Sequence, residues 1–225
     1  MSDPTGPAAA PADGGRAPFD AVLCDVDNVI RFYDPSRLYA LERAAGLAEG
    51  TTMKIAFAPE RDLPVLLGRI DGREWVELIA KGLLGMVPEP TTWELGRALL
   101  ESPFHANEEV VDLLRRAGTR IPLVLVSNAT LALEDDLATL GLADLADHVV
   151  NSARVGLVKP DPRIYHHAAA LAGVRPDRCL FVDDTEENLT AAAALGMSPV
   201  HFREPADLER ALQPLFDRDR PVRVR

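Results

Sequence analysis

No apolar run in the chain reaches the ~20 residues that a helix needs to cross a bilayer, so no membrane partner is expected. The N-terminal segment MSDPTGPAAAPADGGRAP lacks the basic start and the apolar stretch of a secretory signal. Cysteine is scarce. The two present, Cys24 and Cys179, each lie inside an apolar run that reads as a buried strand, which favours small buried thiols over a disulfide. A reducing cytoplasm is the expected compartment. Basic charge is also short, with 24 Lys and Arg against 35 Asp and Glu and a formal net charge of −11. Such a surface repels phosphate backbones and argues against a nucleic-acid partner. No internal repeat is found. What is present is apolar bulk: 47% of the 225 residues, enough to bury a core in one sizeable domain or a domain carrying a smaller insert.

Residues 1–17 are mostly Pro, Ala and Gly with almost nothing to bury, and are expected to form a disordered leader. Ala21 to Cys24 form a short apolar run ending on acids, the pattern of a parallel strand covered on both faces. From 35 to 104 the character changes. SRLYALERAAGL, REWVELIAKGLL and TTWELGRALLES carry apolar residues at helical spacing, with Ser36, Asp71 and Thr91 or Thr92 where N-caps would serve. No strand is expected in that stretch, which reads as an all-helical insert. After it, helix and strand alternate: NEEVVDLLRRAG, IPLVLVSN, TLALEDDLATLG, DHVVNS, DPRIYHHAAALAG, CLFVDD, TEENLTAAAALG, SPVHF and ADLERALQPLF. That alternation predicts an α/β domain over 18–34 and 105–213, with a parallel sheet covered by helices on both faces. Residues 214–225 are expected to fray.

In an open parallel sheet, ligands bind at the carboxyl ends of the strands. Those ends carry Asp25 and Asp27, then Ser127 and Asn128, then Lys159 beyond a short strand, then Asp183 and Asp184. Two carboxylates two residues apart can divide the labour of phosphoryl transfer. Asp25 is placed to attack phosphorus, and Asp27 to protonate the leaving oxygen and then deprotonate water. Asp183 and Asp184 add hard oxygen ligands suited to Mg²⁺, although one of two adjacent acids can instead serve only main-chain amides or Lys159. Lys159, Ser127 and Asn128 supply a cation and donors for phosphoryl oxygens. Ser127 competes with Thr130 for the next helix cap, and a turn role accounts for Asn128 equally well. Arg31, Phe32 and Tyr33 either face the substrate or form the hinge into the insert. His166, His167, Trp75 and Trp93 fit surface or packing roles.

DVDNV at 25–29, VSN at 126–128, VKPDPRIY at 158–165 and FVDDTEENLTAAAALGM at 181–197 resemble, in order and spacing, the four motifs of the haloacid dehalogenase superfamily. The lysine motif is similar to that of the branch with a helical cap after the first strand. The resemblance implies a Rossmann-like core, Asp25 as nucleophile and Asp27 as acid/base. It also implies Mg²⁺ held by Asp25, the main-chain carbonyl of Asp27 and Asp184, with Asp183 close by. Two positions depart from the common pattern: Asn28 stands where Gly is frequent, and Val29 where many members have Thr. Dehalogenases of the family lack the second aspartate, so Asp27 favours a phosphatase acting on a small phosphomonoester. A sugar-phosphate mutase, a 2-haloacid dehalogenase and a non-catalytic binding module are the competing readings. A monomer and a homodimer are both compatible with the sequence.

Overall fold

The computed structural model describes residues 18–217; the expected leader and residues 218–225 of the expected tail lie outside them. β1 (Ala21–Cys24) is buried along its whole length, as its unbroken AVLC run requires. After a tight turn comes β2 (Arg31–Tyr33), then five helices: α1 (Ser36–Ala44), α2 (Thr51–Ala56), α3 (Pro59–Leu66), α4 (Gly72–Leu83) and α5 (Glu89–Leu100). The chain returns through β3 (Phe104–Ala106), α6 (Glu108–Gly118), β4 (Leu123–Ser127), α7 (Leu133–Thr139) and β5 (His148–Asn151). It continues through α8 (Ser152–Val155), α9 (Pro162–Leu171), β6 (Cys179–Asp183), α10 (Glu186–Ala194), β7 (Ser198–His201) and α11 (Pro205–Phe216).

Five strands form one parallel sheet in the order β5-β4-β1-β6-β7. The chain builds from β1 out to β5, then recrosses to lay β6 and β7 on the other side of β1, so the order reverses at the sheet centre. Side chains alternate across the sheet. Val22, Cys24, Leu125 and Val182 pack with Val110, Leu114 and Leu212 of α6 and α11. Leu23, Val126, Cys179 and Phe181 pack with Ile164, Tyr165 and Leu189 of α9 and α10. This is the three-layer α/β fold that the alternation predicts, Rossmann-like as the resemblance implies. Each fully buried Leu, Ile or Val contributes about 1.5–3 kcal/mol by leaving water. Cys24 and Cys179 fall on opposite faces, both free.

The helices between 36 and 100 pack on one another around Leu38, Trp75, Ile79, Leu83 and Leu95, a cluster of their own. Asp71 caps α4 as expected: it accepts from the Glu74 amide at 2.8 Å while Glu74 accepts from the Asp71 amide at 2.8 Å. The other two caps differ. α1 starts on Ser36 itself behind Pro35, and α5 starts at Glu89 behind Pro88. At both places a proline with φ already near the helical value leads the chain in. Helices α2 and α3 lie within the stretch read as all-helical but were not singled out in it, because TTMKIA and PERDLPVL span fewer than three turns and show no clear repeat.

Strands β2 and β3 were not expected. Three residues each are too few to display alternation, yet they pair antiparallel, Arg31 with Ala106, Phe32 with His105 and Tyr33 with Phe104. The chain leaves the sheet for the five helices and returns through this ribbon. At the far end, α11 runs through Phe216, as the ADLERALQPLF stretch predicts, so residues 214–216 of the tail expected to fray are helical. Leu212 and Leu215 extend the buried stripe of Leu208, and the Arg116 guanidinium lies 4.2 Å from the Phe216 ring centre.

Candidate active site

The turn after β1 sets the first two acids. The Asp25 amide donates to the Val182 carbonyl at 2.9 Å, which carries the β1–β6 ladder one residue further and fixes the Asp25 main chain. Val26, Ile30 and Arg31 then close a tight loop, with the Ile30 and Arg31 amides both donating to the Val26 carbonyl at 2.8 Å. Asn28 supplies the one left-handed non-glycine residue described, with φ 59°. Its short amide side chain tolerates that region, which explains why a glycine is dispensable here. The same side chain donates to Asp184 Oδ2 at 3.0 Å and so ties the β1 turn to the β6 end.

Six of the seven residues expected at the site line one cavity of about 170 Å³ at this sheet edge: Asp25, Asp27, Ser127, Asn128, Lys159 and Asp184. Asp183 stands directly behind it, fully buried. A larger depression of about 480 Å³ lies at the opposite edge, between Gly118–Pro122 and Leu171–Ala172. The acid lining it, Asp147, accepts from the Leu123 amide at 2.9 Å, and none of the residues expected at the site lines it.

Lys159 is the centre of the charge arrangement. Its Nζ lies 2.8 Å from Asp25 Oδ1 and 2.7 Å from Asp183 Oδ2, with its side chain almost wholly buried. Burial works against the ammonium, but Asp25 and Asp183 outweigh it and hold its pKa above the ordinary value. Asp25 Oδ1 also accepts from the Val26 amide at 2.7 Å, while Oδ2 has no protein donor among the described residues. Burial pushes the Asp25 carboxyl up to about 7, with Lys159 pulling it down and Asp183 opposing that pull. Asp25, Asp183 and Asp184 thus gather at this edge beside the single ammonium of Lys159.

Asp183 is saturated. Its oxygens accept from Lys159 Nζ, from the Thr185 amide at 2.8 Å and from Asn188 Nδ2 at 3.0 and 3.2 Å. Asp184 is more open, and among the described residues its carboxylate meets only the Asn28 side-chain amide and the Thr185 hydroxyl. Asp25, Asp183 and Asp184 can each present an oxygen within 4.8 Å of the others, a hard-oxygen set that fits a divalent cation. The Ser127 hydroxyl is buried and has no hydrogen-bond partner among the described residues. Thr130 makes the local turn contact instead, accepting from the Ala132 amide at 3.3 Å. Asn128 is committed differently: Oδ1 accepts from the Lys159 amide at 2.7 Å and Nδ2 donates to the Lys159 carbonyl at 2.9 Å. Its side chain clasps the lysine loop.

Asp27 faces the cavity from the other side, its carboxylate gripped by Arg31, whose third nitrogen reaches Asp136. Arg31 was left between substrate and hinge by its sequence, and Asp136, Thr185 and Asn188 were not singled out at all. Asn188 sits five residues after Asp183 on α10, a spacing that a helix placed after β6 would have put beside it.

A family model described as haloacid dehalogenase-like hydrolase matches residues 19–196. A phosphatase of Mycobacterium tuberculosis, MT3486, is 34% identical over 191 residues, covering 79% of this chain and 84% of that protein. The bovine haloacid dehalogenase-like hydrolase domain-containing protein 3 is 32% identical over 136 residues, 60% of this chain; the match spans 50% of that longer protein. Among solved structures, a Bacteroides thetaiotaomicron family enzyme in complex with magnesium and inorganic phosphate superposes with a TM-score of 0.62 at 21% identity, covering 80% of this chain and 92% of that one. An L-2-haloacid dehalogenase from Xanthobacter autotrophicus superposes with a TM-score of 0.59 at 22% identity, covering 88% and 87%. At such identities these two likenesses concern the fold.

Proposed function

Since the chain belongs to the haloacid dehalogenase-like hydrolase family, we propose that it is a magnesium-dependent phosphatase of the helical-cap branch, acting on a small phosphomonoester through a phospho-aspartate on Asp25. The observation that carries this reading is the Lys159 ammonium, buried between Asp25 and Asp183 in a cavity that also receives the unpartnered Ser127 hydroxyl. A cation and an idle donor beside a carboxylate suit phosphoryl oxygens, whose bonds would satisfy both.

Asp25 Oδ2, the oxygen with no protein donor, forms the bond to phosphorus as the bond to the leaving oxygen breaks. Asp27 gives that oxygen its proton. Water then attacks the phosphoryl group, Asp27 takes the water's proton, and the phosphorus bond to Asp25 breaks to release phosphate. Lys159 and Ser127 hold the phosphoryl oxygens throughout. Mg²⁺ would be held by Asp25, the main-chain carbonyl of Asp27 and Asp184, and supplies positive charge between a carboxylate and a phosphate that would otherwise repel. With its oxygens already taken, Asp183 is assigned to orienting Lys159 and Asn188. The five helices between Ser36 and Leu100 are assigned as a lid that excludes bulk water and meets the substrate beyond its phosphate.

The test is hydrolysis of 4-nitrophenyl phosphate with and without Mg²⁺, beside Asp25→Asn. Phosphate release that depends on the metal and disappears in the variant is the expected result; equal turnover by Asp25→Asn would sink the assignment. The dehalogenase reading, which the Xanthobacter likeness brings forward, conflicts with Asp27. Halide release from a 2-haloacid would restore it.

A further inference from the structure

Asp27 does not sit in the cavity unaided. Arg31 Nε lies 2.7 Å from Asp27 Oδ1 and Arg31 Nη2 lies 3.1 Å from Asp27 Oδ2, so the guanidinium fork takes both carboxylate oxygens at once. The remaining edge of the fork is taken too, with Nη1 at 2.6 Å from Asp136 Oδ2 on α7. The Tyr33 and Phe104 rings, one from each strand of the ribbon, lie 5.0 and 5.6 Å from the guanidinium carbon. The Arg31 side chain is 3% exposed, whereas that of Asp27 is 30% exposed and opens toward the cavity. A charged group this buried is a poor route to stability, since apolar side chains of the same volume serve as well or better. What the fork supplies is direction.

Resting on the phosphatase reading above, we propose that Arg31 is a positioning residue that fixes the orientation of Asp27 as proton donor, with Asp136 locking Arg31 in turn. Each carboxylate oxygen has two acceptor sites, so a guanidinium occupying one on each leaves one on each unused by Arg31, on a side chain that lines the cavity. Proton transfer to a leaving oxygen needs hydrogen-bond reach, and misplacement by about 1 Å costs on the order of 100-fold. Lysine in place of Arg31 keeps the charge and loses the fork.

The need for a proton depends on the leaving group, and this makes the role measurable. Phenyl phosphate and 4-nitrophenyl phosphate have nearly the same shape, but nitrophenolate departs far more readily without a proton. First-turnover release of phenol or nitrophenol with Mg²⁺ isolates bond cleavage from later hydrolysis of the phospho-enzyme. Arg31→Lys is expected to slow phenol release about tenfold or more, part of the ~100- to 10,000-fold that a general acid supplies, and nitrophenol release less than about threefold. Asp136→Ala, at a more exposed position, is expected to show the same selective loss to a smaller degree, and it decides the matter if Arg31→Lys does not fold. Equal losses on both esters would overturn the proposal and leave Arg31 as a packing element. If the wild-type protein released neither phenol nor nitrophenol, the phosphatase reading itself would fall and take this inference with it.

Discussion

The Ser127 hydroxyl is desolvated and unpartnered in the folded chain, so deleting it removes a group that folding leaves without a hydrogen bond. Ser127→Ala is therefore expected to change unfolding stability by less than about 1 kcal/mol in a urea titration. If the hydroxyl holds a phosphoryl oxygen, turnover of the same variant falls about 100-fold. A loss of stability without a loss of rate would reverse that assignment. Asp25 offers a second residue-scale check through its proton. Burial raises its pKa from 3.8 to about 7, so the folded chain binds this proton more tightly than the unfolded chain does. Its contribution to stability is then fully present below about pH 4 and is lost as the pH rises towards 7. A divalent cation at this carboxylate would compete with the proton and offset the loss. The rise in melting temperature on adding Mg²⁺ is thus expected to be small at pH 5, larger at pH 8, and much reduced in Asp25→Asn.

Among the elements, the turn between α3 and α4 meets α8 at a point where no side chain fits. A Cβ on Gly68 would lie 2.1 Å from the Ala153 carbonyl oxygen, and Gly68 has φ +65° besides. Gly68→Ala cannot be absorbed by a flexible side chain, because the opposing atom is main chain. Either the helical unit lifts from α8 or the turn rearranges, at a cost of about 1–3 kcal/mol. Helix content by circular dichroism should be preserved, while phosphatase turnover falls and proteolysis around α8 quickens. Unchanged turnover would mean that this contact has no part in closing the site. The ribbon of β2 and β3 is the other element that joins the two units, and Arg31 lies on it four residues from Asp27.

At the scale of the whole molecule, the five helices enclose a hydrophobic cluster separate from the two that flank the sheet. Their entry and exit lie side by side, since the Asp34 amide donates to the Pro103 carbonyl at 2.7 Å. Replacing residues 35–102 by Asn-Gly, a pair suited to a tight hairpin, is expected to leave a folded sheet that Mg²⁺ still stabilises. Loss of cooperative unfolding in that variant would show that the sheet needs the helices to fold. Much of this organisation was legible in the chain itself. Short apolar runs such as AVLC and LVLVS, alternating with helical patterns, read as parallel strands covered on both faces, and acids or hydroxyls that end such runs gather at one sheet edge, because parallel strands point the same way. Asp25, Asp27, Ser127 and Asp184 could be placed there on that ground, whereas Lys159, separated from the end of β5 by α8, could be named only through the lysine motif that carries it. The short ribbon could not be read, since three residues carry no period, nor could the partners that cross long distances in the chain: Arg31 with Asp136, and Asn128 with the Lys159 main chain. Strand pattern determines which residues arrive at the edge, because burial acts on local runs. Which acid stays open and which is already bonded is decided only when the loops meet, because hydrogen bonds depend on distances that no local pattern encodes.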